Sequence, residues 1–117
     1  MMQRKNEIVD VSFKLALLII RFSEELEASR KYVIAKQLLR SGTSVGANIR
    51  ESQSAESKAD FINKLKIAHK ESLETQYWID LIKASESYPN PSLEIENLLL
   101  SVVKLLNKII ATSKSTK

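Results

Sequence analysis

Residues 40–51 read RSGTSVGANIRE, and the architecture of the chain depends on whether they form a loop or a helix. Gly42 and Gly46 locally favour a loop, because each glycine costs a helix about 1 kcal/mol relative to alanine. The helical phase indicates the opposite, since one face continues across both glycines through Ile34, Leu38, Ser41, Val45, Ile49 and Ser52. We therefore predict one helix over residues 30–55. Its small residues around the glycines would let another helix approach closely.

The composition favours helices throughout the chain. Among 117 residues there are only two Gly and two Pro, far fewer turn residues than a β-rich fold needs. The absence of Cys excludes disulfides and thiolate zinc sites, and is typical of a reducing compartment, so we expect a cytoplasmic protein. The start is polar, and the longest apolar run covers only residues 15–20. We expect neither a signal peptide nor a membrane partner, since a membrane span needs about 20 apolar residues.

The first predicted helix, residues 7–28, has two apolar faces. One contains Ile8, Val11, Leu15, Leu18, Ile19, Phe22 and Leu26. The other contains Val9, Phe13, Ala16, Leu17 and Ile20. A helix in a small bundle normally has one apolar stripe, facing the core. No helix is central in a four-helix bundle, so the second face predicts contact with another copy of the chain.

Two further helices are predicted at residues 58–85 and 91–112, giving one domain over residues 1–117. Ser57 and Asp60 are typical of a helix start, and so is the pair Asn90 and Pro91. Four helices with short connections predict an all-α, antiparallel up-and-down bundle. In the third helix, Ile67, Trp78 and Leu81 lie away from the predicted core face and extend the expected oligomer interface.

The charge balance is basic, with 18 Lys and Arg against 14 Asp and Glu and a net charge of +4. Such a surface suits a polyanion, although a charge of this size also serves solubility alone. The basic residues that we expect to bind RNA or DNA, without base specificity, are Arg30, Lys31, Lys36, Arg40, Lys58, Lys64, Lys66 and Lys70. The alternative is an oligomeric scaffold for a protein partner with no nucleic-acid role.

Catalytic and cofactor chemistry find little support in the sequence. The single histidine, His69, has Lys66 three residues before it, so the Glu-x-x-His motif of a di-iron bundle is missing. The two glycines lack the preceding strand and the following Lys-Ser/Thr of a phosphate-binding loop. Glu71 and Glu74 are explained by ion pairing with nearby lysines of their own helix. We expect no enzyme, no metal and no cofactor.

Three segments resemble a known family: QLLRSGTSVGANIRE at 37–51, DFINKLKIA at 60–68 and ExxETxYW at 71–78. They are similar to the bacterial four-helix-bundle proteins encoded in 23S rRNA intervening sequences, also called S23 ribosomal proteins, which are related to accessory proteins of diversity-generating retroelements. The resemblance implies a homopentamer with a basic, nucleic-acid-binding surface and, for the retroelement relatives, contact with a reverse transcriptase. Gly46 stands where many relatives have proline. We expect Asn48 to bond a neighbouring helix or subunit, and Arg50 and Glu51 to form interface ion pairs.

Overall fold

The computed structural model describes residues 6–115. Within this range the chain forms four α-helices and no strand. The helices are α1 (Glu7–Ala28), α2 (Tyr32–Ser52), α3 (Lys58–Ala84) and α4 (Leu93–Ser115). The prediction of an all-α fold with four helices is confirmed. No helix in residues 6–115 has both the length and the apolar character needed to cross a membrane.

Helix α2 continues through both glycines, as its phase predicts, but it begins later than residue 30. Arg30 has a φ of 65°, in the left-handed region, so it cannot belong to either helix. The amide of Lys31 then donates to the carbonyl of Leu26 at 2.8 Å and closes the end of α1. The helix therefore starts at Tyr32.

The end of α2 also differs from the prediction. The helix stops at Ser52, whereas a helix to residue 55 was expected. The amides of Gln53 and Ser54 donate to carbonyls three residues earlier, at 3.1 and 3.0 Å, which is the tighter spacing typical of a final turn. The polar sequence after Ser52 offers no apolar face that would extend the helix into the core.

Helix α3 begins at Lys58, as predicted, whereas α4 begins at Leu93, two residues after its predicted start at residue 91. The Ser57 hydroxyl accepts a hydrogen bond from the amide of Asp60 at 3.0 Å and caps α3. At α4 the capping group is Ser92, whose hydroxyl accepts from the amide of Ile95 at 3.2 Å. The expectation that Asn90 and Pro91 start this helix is therefore wrong. The helix also continues to Ser115, three residues beyond the predicted end at 112.

The four helices surround one apolar core. Helix α1 contacts α2 and α4, and α3 contacts the same two helices. The first apolar face of α1 enters this core, with Leu15, Ile19 and Leu26 fully buried. Helix α3 contributes Leu65, Ile79 and Ile82, which are equally buried. Of the second apolar face of α1, Phe13, Leu17 and Ile20 stay at the surface, whereas Val9 packs partly against the core.

The two glycines of α2 lie where α1 crosses it most closely. A Cβ atom added to Gly42 would lie 2.6 Å from Cδ1 of Ile19 and 2.9 Å from its Cγ2. At Gly46 the nearest atom would be the carbonyl oxygen of Ser12, at an ordinary 3.5 Å. The predicted small-residue patch therefore serves contact between two helices of the same chain, and Gly42 is the position that requires glycine.

Several hydroxyl groups are buried at the helix contacts. The hydroxyl of Thr75 lies 2.9 Å from that of Ser41, so it links α3 to α2 inside the core. The Ser12 hydroxyl donates to the carbonyl of Val9 at 3.2 Å. The Ser23 hydroxyl is also buried and has no hydrogen-bond partner within residues 6–115. A buried hydroxyl without a partner lowers stability, because it has lost its hydrogen bonds to water and has gained none within the protein.

Candidate functional site

The predicted basic residues occupy α2, α3 and the turn before α2, and most of them are at the surface. Lys31 and Lys64 are half-buried. The exposed ones are Arg30, Lys36, Arg40, Lys58, Lys66 and Lys70. Their contacts divide them into two groups. The cations of the first group already contact carboxylates or other side chains, and those of the second group remain available to an anionic ligand.

Arg40 belongs to the engaged group. Its guanidinium pairs with Oε1 of Glu71 at 3.4 Å and with the carboxylate of Glu74. Oε2 of Glu74 also accepts a hydrogen bond from Nε1 of Trp78 at 3.0 Å. We call these four residues the Arg40 cluster. The carboxylates pair with an arginine of the neighbouring helix, so the expectation that lysines of α3 engage them is wrong.

The charge of the Arg40 cluster disfavours phosphate. One cation stands between two carboxylates, and the hydrogen bond with Glu74 raises the pKa of Arg40. Burial acts to raise the pKa of Glu74, but the hydrogen bonds from Trp78 and Arg40 outweigh it and lower that pKa. Both groups therefore keep their charges, and a polyanion would have to compete with Glu71 and Glu74 for Arg40.

Lys64 and Lys31 are also engaged. Nζ of Lys64 pairs with Oε1 of Glu51 at 3.1 Å and joins α3 to α2. Nζ of Lys31 lies 4.7 Å from the centre of the Tyr88 ring and donates to the Ser87 hydroxyl at 3.4 Å. Lys31 thus fastens the start of α2 to the segment between α3 and α4.

Five of the predicted cations form no ion pair with a carboxylate in the described part of the chain, namely Arg30, Lys36, Lys58, Lys66 and Lys70. Lys66 has a cationic neighbour instead, the ammonium of Lys114 on α4. This neighbour lowers the pKa of Lys66. Two lysines side by side repel each other, and an anion between them would relieve that repulsion. The available positive charge is therefore spread over the turn before α2 and the outer sides of α2 and α3.

The second apolar face of α1 lies at the surface beside α2. Phe13, Leu17 and Ile20 are 51%, 43% and 40% exposed, and Val9 is half-buried. A groove of about 270 Å³ runs along this face. It is lined by Val9, Ser12, Phe13, Ala16, Thr43, Gly46, Ala47 and Arg50. The guanidinium of Arg50 lies 5.6 Å from the centre of the Phe13 ring within the single chain, and its expected ion pair at a subunit interface stays a prediction.

The other predicted interface residues lie on α3. Ile67 and Leu81 are 36% and 39% exposed. Trp78 is only half-buried, and its indole is held by Glu74 as well as by the Tyr77 ring, whose centre is 5.3 Å away. These side chains form a smaller apolar surface than that of α1, and a polar cluster interrupts it.

Asn48 bonds within its own helix. Its Nδ2 donates to the carbonyl of Ser44 at 2.9 Å, four residues earlier. The expected bond to a neighbouring helix is therefore not made within residues 6–115. Glu51, in contrast, forms the ion pair with Lys64 described above, within one chain.

No catalytic arrangement emerges from the described residues. His69 is half-buried, and no group of three or more His, Asp or Glu residues within residues 6–115 is placed to hold a metal ion. A groove of about 530 Å³ between the start of α1 and the end of α4 contains one acid and one lysine, Glu7 and Lys108, among apolar side chains, two hydroxyls and the amide of Asn6.

Two features of this surface were missed by the sequence analysis. The Arg40 cluster depends on how α2 and α3 are aligned, which no local pattern reveals, although Glu71, Glu74 and Trp78 at intervals of three and four do indicate one helix side. The proximity of Lys66 and Lys114 depends on the alignment of α3 with α4 in the same way.

Residues 4–108 match the sequence profile of the 23S rRNA-intervening sequence proteins. The chain belongs to this family. Its structure is similar to a 1.70 Å crystal structure of a protein of unknown function from the S23 ribosomal protein family of Bacteroides thetaiotaomicron VPI-5482. The TM-score is 0.80 and the sequence identity 44%, over 88% of this chain and 97% of the other. A comparison with curated proteins gave no match. The resemblance to the 23S rRNA-intervening sequence family is therefore confirmed.

Proposed function

We propose that this 23S rRNA-intervening sequence protein is a non-enzymatic homo-oligomer that binds RNA or DNA, without base specificity, through its basic surface. The observation that carries the proposal is that five of the eight predicted binding residues are exposed cations with no carboxylate partner in the described chain, within a net charge of +4. Phosphate affinity rises steeply with the number of cations that contact phosphates. Repeating these five around an assembly multiplies the number of cations that one polyanion can contact.

The proposed subunit is an antiparallel up-and-down bundle. The contacts between α2 and α3 support this, because residue numbers fall along one helix as they rise along the other. Glu51 pairs with Lys64, whereas Arg40, earlier in α2, pairs with Glu71 and Glu74, later in α3. Lys83 near the end of α3 pairs with Glu96 near the start of α4, which supports the same relation for that pair of helices.

The proposed assembly uses the exposed face of α1. Phe13, Leu17 and Ile20 lie four and three residues apart on one helix face and are each at least 40% exposed, and adjoining exposed apolar side chains can mark a protein interaction site. The number five is proposed from the family resemblance alone. Light scattering should give five times the mass of one chain, and a single chain at micromolar concentration would contradict the assembly.

Leu17→Glu should reduce the assembled mass while the helical content is kept, because the side chain is already 43% exposed in the single chain. Leu100→Glu is the matched control, since Leu100 is 51% exposed on α4, outside the proposed interface. An equal loss of assembly in both variants would show that the α1 face has no special role.

Binding is tested by titrating generic RNA and DNA at several salt concentrations. The double variant Lys36→Gln, Lys58→Gln should weaken binding and flatten the dependence on salt, by about 0.7 in log–log slope for each lost contact with a single strand. The control is the double variant Lys14→Gln, Lys83→Gln, which removes the same number of charges from lysines that already pair with Glu94 and Glu96. It should weaken binding less. Absence of binding at low salt would leave the alternative, a scaffold for a protein partner such as a reverse transcriptase.

A further inference from the structure

Four exposed side chains share the outer side of α3. Lys66, Lys70, Leu73 and Tyr77 follow one another at intervals of four, three and four residues, which places them on one face of a helix. This face lies opposite the buried positions of the same helix, Leu65, Ala68, Ser72, Thr75, Ile79 and Ile82. We call it the α3 outer stripe. At 1.5 Å per residue it is about 16 Å long.

The stripe ends in an aromatic ring that is both exposed and supported. Tyr77 is 56% exposed, and its ring centre lies 5.3 Å from that of Trp78 at an interplanar angle of 59°. Trp78 is itself held in place by its hydrogen bond to Glu74. The neighbouring indole limits the positions of the tyrosine ring, which leaves a large apolar surface facing solvent.

The other end of the stripe is cationic. Lys66 and Lys70 form no ion pair with a carboxylate within residues 6–115, and the ammonium of Lys114 lies beside Lys66. Lys70 is close enough to Glu74 to help lower the pKa of that carboxyl, but Arg40 and Trp78 already engage it. The two lysines therefore remain available to an anion.

We propose that the α3 outer stripe binds single-stranded RNA or DNA, with a base stacked on Tyr77 and phosphates contacted by Lys66 and Lys70. The inference rests on the proposed function and narrows it to one class of nucleic acid. Bases in a duplex stack on each other and offer no face to a protein ring, whereas an unpaired base can stack on tyrosine whatever its identity. Lysines arranged along the same face follow the backbone of such a strand.

The single tryptophan of the chain provides the readout. The full-length protein is titrated at low salt with a single strand of about 16 nucleotides and with a duplex of equal length. The single strand should bind more tightly and should quench the fluorescence of Trp78, because the stacked base lies beside the indole. Tyr77→Ala should lose about tenfold in single-strand affinity, and Tyr77→Phe should keep it, since stacking needs the ring and not the hydroxyl.

Tyr32→Ala is the matched control, because Tyr32 is 60% exposed on α2. It should leave single-strand affinity unchanged. Equal affinities for strand and duplex, with Tyr77→Ala harmless, would overturn the inference and leave the proposed function standing. No binding of either nucleic acid would overturn both. If Tyr77→Ala reduces the assembled mass and leaves binding unchanged, the stripe is a subunit contact and the inference is wrong.

Discussion

Gly42 and Gly46 belong to the same helix, yet replacing each by alanine should have opposite effects on stability. Alanine favours a helix over glycine by about 1 kcal/mol at either position. At Gly46 nothing opposes this gain, because the new Cβ would meet its nearest neighbour, the Ser12 carbonyl oxygen, at 3.5 Å. We expect Gly46→Ala to stabilise the protein by about 1 kcal/mol.

At Gly42 the new methyl group would overlap Ile19, with Cδ1 at 2.6 Å and Cγ2 at 2.9 Å. The Cδ1 atom can move by rotation about χ2, but Cγ2 can move only by rotation about χ1, which a helix strongly restricts for isoleucine. Overpacking of this kind costs about 1–3 kcal/mol. Both variants gain the same helix preference, and only Gly42→Ala carries the overpacking cost. The two alanine variants should therefore differ by about 1–3 kcal/mol in free energy of unfolding.

Urea unfolding followed by circular dichroism measures this difference, at one fixed protein concentration because assembly contributes to stability. Ile19→Val removes the atom nearest to the new methyl group, so it should cost less in the Gly42→Ala background than the roughly 0.5–1.5 kcal/mol typical of such a truncation in the wild type. Equal stabilisation by the two alanine substitutions would refute the close approach of α1 and α2 at Gly42.

Three further changes test the core, the cap of α4 and the Arg40 cluster. Ser23→Ala should stabilise by about 1 kcal/mol, since it removes a buried hydroxyl without a partner, whereas Ser12→Ala should give no such gain in the same urea titration. Ser92→Ala should cost about 1 kcal/mol through loss of the α4 cap, and Asn90→Ala close to nothing; the reverse order would restore Asn90 as the cap. The lowered pKa of Glu74 stabilises the fold above the ordinary value of 4.5 and ceases to do so as pH falls through the folded pKa. The stability gap between wild type and Glu74→Gln should therefore shrink from pH 7 to pH 3, and a constant gap would exclude this role.

The sequence predicts those parts of the structure that depend on helical phase. Ile34, Leu38, Val45 and Ile49 lie on one face, and that regularity outweighs the local preference of the glycines. Phe13, Leu17 and Ile20 were identified as surplus by the same reasoning and are exposed in the single chain.

The helical phase of a sequence shows which residues share a face, but it does not show how two helices are aligned along their lengths. Glu71 and Glu74 have lysines within a turn on their own helix, so local spacing favours the wrong partners over Arg40. The start of α4 was missed for a different reason. Asn90, Pro91 and Ser92 are all good starting residues, and only the position of Ile95 against the core selects Ser92.

The Arg40 cluster has a further consequence for the path of any bound strand. Its two carboxylates lie along the α2 side of the outer stripe, and one arginine neutralises only one of them. A flexible polyanion on Lys66 and Lys70 therefore meets a repulsive border when it turns toward α2, whereas Lys114 of α4 offers a further cation beside Lys66. A bound strand would therefore be guided lengthwise along α3 and toward Lys114 on α4.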